Sequence, residues 1–496
     1  MNSRKGVSLR PHFQLLVALG LLLVAAFFVA ACSMNGTVTT SGMAQVKVTL
    51  SDPATCIAPN GPFSAVYVTI SDVQAHVSSS AGANDSGWVD LTPGLSTSPK
   101  QVELLGLSSN QCLLVTLGDN MELQAGNYQQ IRLILATSSA NIQGDMCSGG
   151  GNCVVVGQGD QATTYPLLLS SEAKTGLKIP PGQIAGGQIS ISAGETRDLN
   201  IDFNTCASII REGNGQYRLK PTLTAGVVSQ TSVSMNGKVV DAGGSPVANA
   251  IIALEQPDPT GTKDASGNPI DRIMVTTSTA YDGTWAICPL VQGITTKPYD
   301  VVIIGSNATG MLSPTIVTGV SVGSTVGTVR LNAAASLLTP AANTAATLSG
   351  QVTSVNSSNA GTPIDAALGV VETVGSIDYT IPLPPTATQT NPLALIVTTA
   401  PNQTPACNPG ASDCYNYSLT VPASSAYIGA WSSTTLSLAA PVNPLAAYIV
   451  DGIATQTGTA TLNCSPSEKF TAATALTPTP LPPAATSLNL AFGSCQ

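Results

Sequence analysis

Histidine is nearly missing from this sequence: His12 and His76 are the two in 496 residues. So low a count excludes multi-histidine zinc sites, and a serine or cysteine triad survives only if His76 serves as its base. Charge is almost as scarce, at 9% of residues, while the apolar fraction is an ordinary 43%. Surface helices need charged outer faces, so the body is not built from them. Its Gly, Pro, Ser, Thr, Asn and Ala instead mark many short strands joined by turns. Basic residues are the scarcer sign, 18 against 27 acids, which excludes nucleic acid as a partner. Aromatics make up 4%, and the three tryptophans, Trp88, Trp285 and Trp431, are few for the exposed platforms on which sugars stack. No Cys-x-x-Cys spacing occurs, which removes the common thiolate metal sites.

One long apolar run is present, from Leu15 to Ala31, with Arg4, Lys5 and Arg10 ahead of it and small residues leading into Cys32. That is the layout of an export signal. The run is at the lower limit for spanning roughly 30 Å of hydrocarbon, so an uncleaved membrane anchor is the alternative. Val29-Ala30-Ala31-Cys32 resembles the lipobox of bacterial lipoproteins. The resemblance implies that residues 1–31 are removed and that the Cys32 thiol is lipidated, holding the chain on a membrane; plain cleavage after a small residue is the other reading. Ser33, not an acid, follows the cysteine, which by the same resemblance implies the outer membrane of the cell envelope. Without Arg4, Lys5 and Arg10 the mature part keeps 15 basic residues against 27 acids, a formal charge of −12.

Ten cysteines remain beyond Cys32, an even number in an exported chain, so disulfides are their expected use. Cys147 and Cys153 flank a Gly-rich turn, Cys407 and Cys414 flank Asn-Pro-Gly, and Cys464 and Cys495 bracket the last segment. Cys56 with Cys112 and Cys206 with Cys288 is one arrangement of the other four; spacing leaves the connectivity open.

Residues 32–42 are small and polar, a tether. Val46, Val48 and Leu50 then alternate with polar residues, as do Val66, Val68 and Ile70, each set reading as one buried face of a strand. Further strand signals separated by turn residues run to Leu219, and a sandwich of antiparallel strands is the economical reading of residues 43–228. Within them Asp52-Pro53, Gly87-Trp88, Leu123-Gln124-Ala125-Gly126-Asn127-Tyr128 and Leu199-Asn200-Ile201-Asp202-Phe203 resemble the bacterial domain of unknown function 4382. That resemblance implies a lipoprotein setting and no particular chemistry. After a polar joint, Gly237-Lys238-Val239-Val240-Asp241, Gly244-Ser245-Pro246-Val247, Ala250 to Leu254 and Tyr281-Asp282-Gly283-Thr284-Trp285 are similar to the carboxypeptidase regulatory-like domain. This implies a small immunoglobulin-like or transthyretin-like sandwich over 234–332, with Trp285 in its core. Residues 333–346 read as an Ala/Thr/Pro linker, and 347–496 as a C-terminal β domain.

Few side chains stand out for chemistry. Asp264-x-Ser266-x-Asn268-x-x-Asp271 sets oxygen ligands at alternate positions, as a calcium loop does, although Pro269 stands where such a loop needs glycine. Calcium is thus the one cofactor considered, against a plain polar hairpin. Asp198 and Asp202 share a strand face but stand about 13 Å apart along it, wide for a glycosidase pair. Gly319-Val320-Ser321-Val322-Gly323 has the spacing of a nucleophile elbow, but strand, not helix, follows it. His76 reads as a plain exposed histidine.

The expectation is an all-β chain of tandem β-sandwich domains, lipid-anchored in the envelope. It would act as a non-catalytic scaffold, adhesion or ligand-binding module toward an envelope protein or extracellular ligand. An envelope hydrolase using Asp and Glu, or an accessory subunit of an outer-membrane transport system, is the alternative.

Overall fold

Alternating apolar residues set the strands, because successive side chains on a strand point to opposite faces. The computed structural model describes residues 42–495 except 53–62, 79–80, 108–113, 138–141, 143, 158, 170–175, 180–182, 185–187, 212–214, 220–222, 229–233, 259, 288–289, 291–297, 309, 332–344, 387–388, 390–391, 434–435, 456–463 and 478–482. The chain is all-β. Two four-residue helices, Leu104–Leu107 and Thr205–Ser208, and a 3-10 turn at Gly159–Gln161 are the helix present among the described residues.

Val46, Val48 and Leu50 are buried on the strand Met43–Ser51, and Val66, Val68 and Ile70 on the fourteen-residue strand Phe63–His76. The first belongs to a four-stranded sheet in the order Leu223–Val228, Thr196–Phe203, Met43–Ser51, Val115–Gln124; the second is central to a nine-stranded sheet. One core joins both sheets, with Leu50, Ile70, Ile131, Leu133, Ile201 and Phe203 in it. Unlike the antiparallel sandwich expected, Met43–Ser51 runs parallel to Thr196–Phe203, Val48 opposite Leu199. Alternation says which face of a strand is buried but carries no information on a partner about 150 residues away.

From residue 235, a three-stranded sheet (Thr284–Ile287, Met235–Val240, Thr325–Arg330) packs on a larger one through Val239, Ile252, Leu254, Trp285, Val301 and Val317. Trp285 is 2% exposed and its indole lies on Gly237, where an added Cβ would come within 2.9 Å of the ring nitrogen and 3.0 Å of the Gly327 carbonyl. Backbone on one side and a core ring on the other leave little room to give. Gly237→Ala is therefore expected to destabilise the chain by about 1–3 kcal/mol in urea unfolding; an unchanged midpoint would contradict this packing.

The larger sheet does not stop at residue 331. Its strands run Tyr427–Ala430, Thr315–Val320, Tyr299–Ile304, Ile251–Pro257, Ile270–Ser278, Ile377–Thr380, Asp365–Val374, Ala447–Thr455, Glu468–Phe470, and two side pairings bring it to eleven. Chain on either side of 333–346 thus shares one sheet. Two parallel pairings make the joints: Ile270 and Asp271 with Asp378 and Tyr379, and Thr315 to Thr318 with Tyr427 to Ala430. A last sheet, of Asp413–Pro422, Ala345–Ser354, Ala484–Ala485 and Leu490–Phe492, covers one face through Leu348, Val352, Tyr417 and Phe492.

Candidate functional site

Where the Ile270–Ser278 and Ile377–Thr380 strands meet, the long sheet is lined with acids, and register decides which face each one takes. Glu255 lies opposite Asp300 and opposite Ile273, and Asp271 lies opposite Tyr379. Two-residue alternation therefore puts Asp300, Glu255, Asp271 and Tyr379 on one face. Arg272 and Asp378 take the other.

On that second face the Arg272 guanidinium reaches three carboxylates: Asp258 at 2.9 Å through Nε, and Asp451 and Glu468 through its two terminal nitrogens. Burial opposes its charge, but Asp451 and Glu468 outweigh that and hold it protonated more firmly than a free arginine. Burial pushes the Asp451 carboxyl up, and burial with the neighbouring Asp451 charge pushes Glu468 to about 7. Asp258 is held down despite its burial by the Thr260 hydroxyl and Arg272. Nearby, Asp378 is fully buried; its Oδ1 accepts the Thr373 hydroxyl at 2.6 Å and its Oδ2 has no hydrogen-bond donor. Burial first, then the facing Asp264 carboxyl, raises the Asp378 pKa.

On the first face Glu255 is wholly buried, with Oε2 taking the Thr380 N–H at 3.2 Å and Oε1 without a donor. Burial and then the Asp271 charge drive its pKa well up. Asp300, raised by burial, takes the Gly319 N–H at 2.7 Å. Glu372, opposite Tyr379 in the sheet, is pushed to about 7 by burial although it accepts the Ala426 N–H. Glu255, Asp271, Glu372, Asp378 and Asp451 are buried, not set around an opening. Among the described residues the best-formed concavity holds about 10 Å³, room for one water, and is lined by Asp202, Asn204, Thr224, Val275, Thr276 and Leu393.

Of the residues singled out from sequence, Cys32 lies outside the described residues, as do Cys56, Cys112, Cys288 and the Cys206 side chain. Cys147–Cys153, Cys407–Cys414 and Cys464–Cys495 are disulfides. The calcium pattern is not assembled. Asp264 spends its oxygens on its own turn, taking the N–H groups of Ser266 (2.9 Å) and Asn268 (2.7 Å) and the Asn268 amide, while Asp271 lies in the strand opposite Tyr379. Strand register between Pro269 and Asp271 separates them.

His76 is buried, not exposed. Its Nδ1 accepts the Ser78 N–H at 2.8 Å, so the proton sits on Nε2, which donates to the Ser86 carbonyl at 3.1 Å. Trp88 lies against its ring, with the Arg132 guanidinium 4.2 Å from the indole centroid. Both ring nitrogens thus serve the loop. Asp202 is partly buried, accepts the Ser51 hydroxyl at 2.8 Å and is pushed to about 7 by burial, whereas Asp198 lies opposite Lys47. Gly319 to Gly323 spans the end of one strand and the turn into the next. The acid-lined joint itself was missed. Its signal is visible afterwards: single acids inside apolar strand runs, as in Ile270-Asp271-Arg272-Ile273, Val371-Glu372-Thr373 and Val450-Asp451-Gly452.

Residues 43–221 match the family model of a domain of unknown function (DUF4382), in agreement with the blocks at Leu123 to Tyr128 and Leu199 to Phe203. No curated protein matches the chain. Among solved structures, a Streptococcal ancillary pilin is 9% identical with a TM-score of 0.18, over 90% of this chain and 98% of that one. The Bacillus anthracis TIE protein is 9% identical with a TM-score of 0.13, over 92% of this chain and 51% of its own. The shaft pilin SpaA from Lactobacillus rhamnosus GG is 8% identical with a TM-score of 0.15, over 58% of this chain and 97% of its own. Superpositions this loose carry no argument about arrangement or activity.

Proposed function

We propose that this chain is a non-catalytic scaffold displayed at the cell envelope, held on the membrane by a lipid on Cys32, with the outer membrane as its address. The observation that carries the scaffold reading is the eleven-stranded sheet running from residue 251 to 475 across the 333–346 segment. A sheet continued through two chain regions resists their separation, which suits a spacer or adhesion module more than a pair of domains that must close on a substrate. The sealed position of Glu255, Asp378 and Asp451 supports the same reading, since acids used on a substrate have to reach one. The similarity of Gly237 to Trp285 to carboxypeptidase regulatory-like domains supports an appended, non-catalytic role for 234–332.

The anchor is tested in the cell. Wild-type chain is expected in the membrane fraction, with Cys32 carrying the mass of acyl chains in intact-protein mass spectrometry, because several buried chains at about 0.8 kcal/mol per methylene hold firmly. Cys32→Ser is expected to move to the soluble or uncleaved fraction. An unmodified Cys32 on a membrane-bound wild type would refute the lipid anchor.

A further inference from the structure

Three pairs of carboxyls meet at the joint of the long sheet. Asp271 shares a sheet face with Asp300, Asp264 faces Asp378, and Asp451 and Glu468 sit on the same Arg272 guanidinium. In one of them, Asp264 with Asp378, the partners come from chain on opposite sides of 333–346; Asp271 of the first pair lies opposite Tyr379 across the joint, and Asp451 and Glu468, both after 346, reach across it to Arg272. The charged and titratable groups facing these pairs are Glu255, Tyr379 and Glu372 on one face and Arg272 and Asp258 on the other. Arg272 sits among them and is engaged by Asp258, Asp451 and Glu468, and Lys263 and Lys469 adjoin Asp264 and Glu468 in the chain. The buried oxygens Glu255 Oε1, Asp378 Oδ2 and Asp451 Oδ1 have no donor. Buried carboxyls crowded together in a dry interior do not all ionise, because burial and like charge both favour the protonated form.

We infer that this joint is a proton-held latch, in which protons held by these carboxyls keep the Ile270–Ser278 and Ile377–Thr380 strands paired, and their loss at alkaline pH loosens the pairing. The inference goes beyond the scaffold reading by giving the scaffold a pH-dependent stiffness. The sign follows from linkage: these acids bind protons more tightly in the folded chain than in the unfolded one. Their stabilising contribution is complete below the unfolded carboxyl range near pH 4. It falls as pH rises through neutrality toward the folded values.

Two backbone amides report on the joint: Asp378 N–H, bonded to the Pro269 carbonyl at 3.0 Å, and Thr380 N–H, bonded to Glu255. Hydrogen exchange on the full chain, corrected for base catalysis, is expected to show protection of residues 377–381 falling at least tenfold between pH 5.5 and 8.5. Val48 and Leu50 in the first sheet should fall less. Asp378→Asn, and the combination of Asp300→Asn, Asp378→Asn and Glu468→Gln, supply amide donors in place of the bound protons and should flatten the profile, the single variant in part. Protection that is pH-independent in the wild type, or that falls equally in Asp378→Asn, would overturn the latch. So would 1 mM calcium abolishing the wild-type dependence, because a cation and not a proton would then bridge the pairs.

Discussion

Arg272→Met is expected to destabilise residues 235–495 by about 3–5 kcal/mol at pH 7.5, because it removes the guanidinium from three carboxylates and leaves buried Asp451 without its counter-charge. Methionine keeps most of the stem's packing, so the loss reads charge and hydrogen bonds, not volume. The deficit should depend on pH in a defined direction. Burial already raises Asp451 and Glu468 in the presence of Arg272. Without the cation they rise further, and protonating them removes the uncompensated charge. The variant should therefore recover much of its stability as pH falls from 7.5 to 4.5. Asp258 behaves oppositely in the wild type, since it is held low: its share is present above the unfolded carboxyl range and disappears as pH falls through its folded value. Urea unfolding of both proteins at the two pH values checks the prediction. A deficit that is constant with pH would mean the three ion pairs are packing contacts only.

Replacing both Cys464 and Cys495 by serine should cost about 3–4 kcal/mol, the chain-entropy value for a loop of 31 residues. The figure is an effect on the unfolded chain, yet the bridge also has a local role. Cys495 donates its N–H to the Val355 carbonyl at 3.0 Å, and Phe492 just before it is buried under the Ala345–Ser354 strand, to which Leu490–Phe492 runs parallel. Loss of the bridge frees a terminal strand whose other attachment is a short parallel pairing. Guanidinium unfolding should show the drop, and limited proteolysis should remove the last residues of the variant first. The Cys147–Cys153 bridge closes a separation of only 6 residues, so the same double substitution there should cost less. Equal losses at the two sites would contradict the loop-length account.

Local order was readable where local pattern decides it. Val46, Val48 and Leu50 alternate in the sequence and are buried in the structure, and Trp285 after its Asp-Gly turn lies in a core. The turn residues at Ala193-Gly194 do separate strands, whereas Gly126 and Asn127, which also read as turn residues, lie inside the strand Gly126–Tyr128 with only Ala125 before it as the break. What pattern does not encode is the partner. Nothing near Met43–Ser51 says that it pairs in parallel with Thr196–Phe203, and nothing near Asp271 says that Tyr379 will lie opposite. The missed joint follows from that. Asp378 and Asp451 stand singly among apolar residues in the sequence, and only long-range register makes them neighbours of Asp264 and Arg272. His76 failed for a related reason: the serines beside it suggested an exposed loop, whereas Ser78 and Ser86 close that loop over the ring.

The central claim is that residues 235–495 behave as one body because a single sheet crosses them. Pulling the anchored chain from its C-terminus in a single-molecule force experiment at pH 6 tests this most directly. One cooperative rupture releasing the whole of 235–495 is the predicted result, with Arg272→Met lowering its force. Two separate ruptures, one for the region before residue 333 and one for the region after 346, would contradict it.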